Sequence, residues 1–275
     1  MRWRGRAGSS NIEDRRGMGM GLPIGGGIGG LVLLLLFSAL TGQNPADLID
    51  SGPSEDQTVG TSGTADDPEA QFVSVVLRDT EETWGEIFRQ HGEAYQPPRL
   101  VLFTQATQSA CGVGQSAMGP FYCPADRKVY LDLSFFHDLA TRFGAPGDFA
   151  AAYVVAHEVG HHIQTITGVS DQVMQQRQRS SERQANALSV RQELQADCYA
   201  GVWGHYAQRR GLLEPGDAEE GLQAAAAIGD DRLQRQSQGT VVPESFTHGS
   251  SEQRVEWLRR GMNAGQVEAC DTFAD

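Results

Sequence analysis

Residues 157–161, which read HEVGH, constrain this chain more than any other feature. They lie in an apolar segment, residues 148–164, that predicts one buried helix. Because His157 and His161 are four residues apart, they share a helix face, and both imidazoles can reach one metal ion. Glu158 lies about 100° around the same helix, where its carboxylate can take a proton from a metal-bound water. The run therefore predicts a zinc site with its own general base.

A second helix is expected to supply the third ligand. A catalytic zinc usually takes three protein ligands, so the chain after His161 has to provide one more. Glu193 and Asp197 are four residues apart in residues 181–210, which predict a long helix that ends at Gly211. We expect Glu193 to bind the metal and Asp197 to accept the free ring N–H of a ligating histidine.

Three other histidines are weaker candidates for the site. His205 and His248 are the rival third ligands. His205 lies three turns beyond Glu193 and about 120° from its face, so these two residues cannot both bind the ion. His162 points about 100° away from His161, and we expect it beside the metal ligands or at the surface.

These residues resemble a known pattern. His-Glu-x-x-His followed by Glu-x-x-x-Asp is similar to the gluzincin branch of the zincin metallopeptidases. The chain is more closely similar to a bacterial family of membrane-anchored neutral zinc metallopeptidases. The resemblance covers nearly the whole chain and rests on residues 2–6 with 13–17, and on 119–124, 157–161 and 247–254. It implies one catalytic Zn²⁺ and a peptide or protein substrate.

The resemblance also implies features around the metal. Zincins usually place the edge of a sheet above the cleft, and residues 128–133 are the candidate for that edge, with a plain core strand as an equal alternative. In gluzincins a downstream His or Tyr often stabilises the oxyanion. His248 is the best placed by chain order, and Tyr199 and His205 are the alternatives.

An apolar stretch near the N-terminus predicts a membrane anchor. Residues 18–42 supply about the twenty residues needed to span a bilayer. Residues 1–17 hold five arginines against two acids, a net charge of +3 within the first sixteen positions. By the positive-inside rule we expect a cytoplasmic arm outside the fold, with a cleaved signal peptide as the alternative. Residues 43–68 predict a flexible linker and residues 69–275 a metallopeptidase domain outside a bacterial inner membrane.

The number and position of the cysteines support export of the domain from the cytoplasm. All four follow the apolar stretch, and an even count in an exported domain indicates two disulfides. Cys111 and Cys123 bracket a short loop and are natural partners. That leaves Cys198 to pair with Cys270.

The predicted fold class is α+β and zincin-like, mostly helical with a small sheet, preceded by one transmembrane helix. Apolar residues at four-residue spacing predict helices, alternation of residues predicts strands, and a Ser-x-x-Gln capping box predicts the start of the last helix. The expected helices are 71–92, 148–164, 181–210, 216–236 and 251–262, and the expected strands are 99–104 and 127–133.

The expected function is a membrane-anchored zinc metallopeptidase in which Glu158 acts as the general base. The alternatives are a tethered zinc-containing binding or regulatory protein with little turnover, and a hydrolase of cell-wall amides. The chain carries a net charge of −13, and its +3 arm leaves −16 for the remainder. That acidity argues against nucleic acid or anionic lipid as the main partner.

Overall fold

The computed structural model describes residues 1–17 and 67–274, which form an α+β fold rich in helix around a small sheet. For these residues the predicted α+β class, mostly helical with a small sheet, is confirmed. The predicted anchor at 18–42 lies outside them, as does the linker up to residue 66. Within the described ranges, no helix is both long and apolar enough to cross a membrane. The helices are α1 (Pro68–Gln90), α2 (Ser134–Thr141), α3 (Asp148–Ile166), α4 (Val169–Gln178), α5 (Glu182–Arg209), α6 (Asp217–Ala227), α7 (Asp230–Gln238) and α8 (Ser251–Ala264).

The larger sheet has four strands in the order β1-β2-β6-β5. Strands β1, β2 and β6 are parallel, and β5 runs antiparallel to β6. A separate hairpin joins β3 to β4. The strands are β1 (Ile12–Asp14), β2 (Arg99–Phe103), β3 (Ala106–Ser109), β4 (Gly112–Gln115), β5 (Phe121–Cys123) and β6 (Lys128–Asp132).

The strand predicted at residues 128–133 is interior, so of the two equal alternatives the cleft edge is wrong and the core strand is confirmed. In the described part of the sheet β6 pairs on one side with β2 and on the other with β5. Strand β5 takes the edge position instead, and its Phe121 and Tyr122 line a cleft beside the histidines of α3. Strand β5 has only three residues, directly after a Gly-Pro pair, and these are too few to show strand alternation, which is why the sequence did not reveal it.

The N-terminal residues belong to the fold, so the prediction of an arm outside it is wrong. Strand β1 pairs with β2 in the register Ile12 to Leu100. Trp3 is only 5% exposed, packs edge-on against Phe72 and donates from Nε1 to an Asp148 carboxylate oxygen at 2.9 Å. The sequence did not reveal these contacts, because the number of arginines alone does not distinguish a free arm from one that is held by ion pairs.

Two long helices approach closely enough to bring the predicted ligands together. Gly160, between the two histidines of α3, faces α5 at Ala196. A Cβ at Gly160 would lie 2.9 Å from the Ala196 carbonyl oxygen and 3.0 Å from its Cα, closer than side chains tolerate. Glycine therefore sets the spacing between the helix that carries the histidines and the helix that carries Glu193.

Most predicted elements occur within a few residues of their expected bounds. The box of Ser250 and Gln253 caps α8 as expected. The helix predicted at 216–236 is two helices, because the chain turns at Ile228 and Gly229. The polar stretch after α3 contains helix α4, which its weak apolar periodicity did not indicate.

Replacement of Trp3 by alanine should lower the free energy of unfolding by about 3–5 kcal/mol, because a large buried aromatic is lost. Urea denaturation of the full chain, followed by circular dichroism, measures the change. Arg4→Ala is the matched control, since Arg4 is exposed beside Trp3. Equal midpoints for both variants would show that residues 1–17 do not contribute to the stability of the domain.

Candidate metal site

The structure brings together the three predicted ligands. One ligand atom from each of His157, His161 and Glu193 lies within 4.8 Å of the other two. Nε2 of His157 is 3.2 Å from Oε2 of Glu193, and Nε2 of His161 is 3.4 Å from Oε1. The two imidazoles lie edge to face with their centres 4.8 Å apart. Two residues that lie one turn apart on α3 and one residue of α5 thus bring three donor atoms close together.

The other nitrogen of each ring has its own partner. Nδ1 of His157 donates to Oδ1 of Asp197 at 2.8 Å, and Nδ1 of His161 donates to Oε1 of Gln164 at 2.9 Å. Because each Nδ1 carries the proton, each Nε2 offers a lone pair toward Glu193. This tautomer is the one that a metal ion requires.

Asp197 is completely buried and accepts from three residues on two other helices. Besides His157, Tyr153 donates to Oδ1 at 2.6 Å, and Arg254 donates to Oδ2 at 2.8 Å and to Oδ1 at 2.9 Å. Burial alone would raise the pKa of Asp197, but Arg254 and His157 outweigh burial and lower it to about 2. The carboxylate therefore stays ionised and holds the His157 ring in place.

Arg254 reaches Asp197 because α8 lies unusually close to α5. A Cβ at Gly261 would fall 2.0 Å from the Cys198 carbonyl oxygen, and one at Gly201 would fall 2.2 Å from that of Leu258. The disulfide between Cys198 and Cys270 joins α5 to the segment after α8. Both predicted disulfides are present, and the other joins Cys111 to Cys123 at the end of edge strand β5.

The donor set fits zinc. Two neutral imidazoles and one carboxylate are a usual set for catalytic zinc, which leaves a further position for water or substrate. Burial opposes ionisation of Glu193, yet His161 and His157, when they are protonated in the absence of a metal ion, lower its pKa well below the usual value through their charge and hydrogen bonds. Glu193 is thus a charged ligand that balances part of the charge of a divalent ion.

Glu158 lies beside these donors rather than among them. It is 7% exposed, lines the same cleft, and is absent from the group of three ligand atoms. Burial raises the pKa of its carboxyl group above the usual value. A carboxylate with a raised pKa next to a metal site is suited to accept and return a proton near neutral pH.

Among the three residues expected to stabilise an oxyanion, His248 is the one that lines the described cleft. Its Nδ1 is 3.2 Å from Oδ1 of Asp230. Oδ2 of Asp230 accepts the backbone N–H groups of Thr247, His248 and Gly249 at 2.7, 2.7 and 3.1 Å. Asp230 therefore fixes both the loop and the ring of His248.

The alternatives for that role lie elsewhere. His205 bonds through Nδ1 to the Met262 carbonyl oxygen near the end of α8. Tyr199 packs edge-on against Trp84.

His162, beside His161, links two other segments. Its Nε2 donates to the Gln96 carbonyl oxygen, and its Nδ1 accepts a hydrogen bond from the Tyr122 hydroxyl. Burial lowers the pKa of His162 to about 4, so its ring is neutral and holds edge strand β5 against α3.

The site opens into a cleft of about 930 Å³. Its apolar wall is lined by Met118, Phe121, Phe135 and Phe143, from β5, α2 and the segments next to them. Polar side chains also line the cleft, among them Asp138 and Arg142 beside these residues and Ser170, Asp171 and Gln192 from α4 and α5. Apolar lining with a few polar groups is typical of a substrate site.

Sequence reasoning missed four residues that support the site: Tyr153, Gln164, Asp230 and Arg254. Tyr153 and Gln164 flank the motif on α3, and nothing in their spacing distinguishes them from ordinary core residues. Arg254 carries one signal that could have found it. It ends the stretch 247–254, which the family resemblance includes, and its side chain falls on the same face of α8 as the core residue Leu258.

Replacement of Asp197 by asparagine should weaken zinc binding by about 10–100-fold, because the partner that orients His157 loses its charge. Competition with a chromophoric chelator measures the affinity. Asp171→Asn is the matched control, since Asp171 is an exposed acid on α4 in the same cleft. If both variants bind zinc like the parent chain, Asp197 does not position the ligand.

Comparison with known proteins agrees with this site. The family model described as "Putative neutral zinc metallopeptidase" matches residues 1–273. "Uncharacterized protein YpfJ" of Escherichia coli K12 is 51% identical over 283 residues, which cover 99% of each chain. "Uncharacterized protein Mb2605" of Mycobacterium bovis is 45% identical over 191 residues, 66% of this chain and 64% of its own. No solved structure matches the chain. A zinc cofactor follows from this match and from the donor set, and the chain belongs to the neutral zinc metallopeptidase family.

Proposed function

We propose that the protein is a zinc-dependent peptidase that hydrolyses peptide bonds of peptide or protein substrates. The observation that carries this proposal is the position of Glu158 beside the three donors of His157, His161 and Glu193. A purely structural zinc needs four protein ligands and no neighbouring base. Here the described residues offer three ligand atoms and a buried carboxylate in an open cleft.

The residues around the metal would divide the chemistry of hydrolysis. His157, His161 and Glu193 would hold zinc, which when bound acts as a Lewis acid and makes water a nucleophile near neutral pH. Glu158 would accept a proton from the attacking water and return it to the nitrogen of the leaving amine. Burial raises the pKa of this carboxyl group, which is the direction that helps it accept a proton.

His248 would donate a hydrogen bond to the substrate oxygen that becomes negative during the attack. It lines the cleft, and the hydrogen bond to Asp230 raises the pKa of its imidazole. The same aspartate holds the backbone of the loop through three N–H groups. The ring is therefore both oriented and ready to donate before substrate arrives.

An extended substrate would pair with the edge of β5 that no other described strand occupies. Phe121 and Tyr122 of this strand line the cleft, and the Tyr122 hydroxyl lies 3.1 Å from Nδ1 of His162, the residue after a metal ligand. Main-chain hydrogen bonds to a strand edge bind a peptide largely without regard to its sequence. The apolar wall would then select among side chains.

The proposed location is a bacterial inner membrane with the metal site on its extracytoplasmic side. The apolar stretch within residues 18–42 supports membrane attachment, and it lies outside the described residues. The two disulfides support the extracytoplasmic side, because they persist in oxidising compartments.

Replacement of Glu158 by glutamine should lower kcat by about 10²–10⁴-fold while zinc stays bound, because a base is lost and no ligand is. The full chain is incubated with labelled casein, and its zinc content is measured in parallel. Glu219→Gln, an exposed site on α6, is the matched control. Retained hydrolysis in Glu158→Gln would contradict the peptidase mechanism. Activity on purified cell wall but not on casein would instead favour the wall-amide alternative.

Replacement of His248 by alanine should lower kcat by about 10²–10³-fold with little change in zinc affinity, as loss of one oxyanion donor does. Steady-state kinetics on the same casein substrate measures the effect. His137→Ala, an exposed histidine on α2, is the matched control. An unchanged kcat in His248→Ala would exclude the residue from catalysis.

A further inference from the structure

The N-terminal residues hold the domain through backbone pairing. The β2 backbone N–H at Leu100 donates to the Asn11 carbonyl oxygen at 2.8 Å, and the Arg15 N–H donates to the Leu102 carbonyl oxygen at 2.8 Å. Strand β2 is part of the buried core, because its last four residues are at most 1% exposed. Strand β1 thus covers the edge that β2 would otherwise leave open to water.

Side chains on both sides of β1 add to this pairing. Ser9 and the Asn11 amide donate to one carboxylate oxygen of Glu81 on α1, at 2.6 and 2.7 Å. Lys128 of β6 donates to Glu13 at 2.8 Å. Trp3 reaches Asp148 at the first turn of α3, the helix that carries the metal histidines. The N-terminal residues therefore touch α1, the sheet and the metal helix.

The arginines that suggest a cytoplasmic arm have partners in the fold. Arg15 pairs with Glu13, and Arg16 pairs with Asp14. Arg6 donates to the Arg210 carbonyl oxygen at the end of α5. These arginines thus have roles within the fold, so their charge alone does not place the segment in the cytoplasm.

The two described residues Arg16 and Asp67, which lie on either side of residues 18–66 in the sequence, are next to each other in the fold. Arg16 forms an ion pair with Asp67, the residue that caps the N-terminus of α1 through its side chain. These two residues flank the segment that contains the apolar stretch. A bilayer core is about 30 Å thick, so it cannot separate residues that are joined by hydrogen bonds.

From these contacts we propose that residues 1–17 lie on the same side of the membrane as the metal site. The arm is then part of the peptidase domain and shares its compartment, rather than being a separate segment on the other side.

Two serine-to-cysteine variants of the full chain test this topology. Ser10→Cys lies in the N-terminal segment and Ser237→Cys lies at the end of α7, and both positions are exposed. The four native cysteines form two disulfides, so the parent chain serves as the blank for labelling. Intact cells that express each variant are treated with a small membrane-impermeant maleimide, before and after lysis. Zinc content equal to the parent's verifies that each variant is folded, and exposed Ala7→Cys replaces Ser10→Cys if that variant is not.

The proposal predicts the same labelling pattern for the two cysteines. Labelling of both before lysis places the whole domain outside the cytoplasm, as the disulfides favour, and labelling of both only after lysis places it inside. Either result supports a shared compartment. Labelling of Ser237→Cys before lysis and of Ser10→Cys only after it, or the reverse, would overturn the proposal. The result does not depend on whether the protein hydrolyses casein.

Discussion

The hydrogen bonds to the buried carboxylate of Asp197 connect the elements that form the metal site. Its two oxygens accept from His157 and Tyr153 on α3 and from Arg254 on α8, while Asp197 itself lies on α5. An unpaired charge in such a position would be strongly destabilising, so the three helices have to meet in one arrangement. That arrangement brings Glu193, one turn before Asp197, to the ligand atoms of the histidines. Stability and chemistry thus depend on the same contact.

The sequence predicted the centre of the site because its chemistry follows from helix periodicity. Residues four apart on a helix share a face, and that rule applied to His157 with His161 and to Glu193 with Asp197. The structure places the first three as a group of possible ligands and bonds the fourth to His157, as expected. The long helices were predicted for the same reason, since their apolar periodicity extends over many turns.

The parts that the sequence did not reveal depend on contacts between distant segments. Strands β1 and β5 have three residues each, too few for a pattern, and their places follow from pairing with β2 and β6. The support of Arg254 for Asp197 crosses 57 positions of the chain. The arginines near the N-terminus were interpreted by their charge, whereas in the fold Arg6 donates to the Arg210 carbonyl oxygen and Arg16 pairs with Asp67, both far along the chain. Such pairings are not encoded in local periodicity.

Zinc held by three protein ligands is the basis of the proposed chemistry, and the zinc content per chain is the measurement that checks it. The full-length parent is compared with Glu193→Ala and with Glu182→Ala, an exposed glutamate in the first turn of the same helix. About one zinc in the parent and in Glu182→Ala, with a marked loss in Glu193→Ala, is the predicted result for a site with three protein ligands. Equal zinc in all three proteins, or none in a folded parent supplied with zinc, would contradict it.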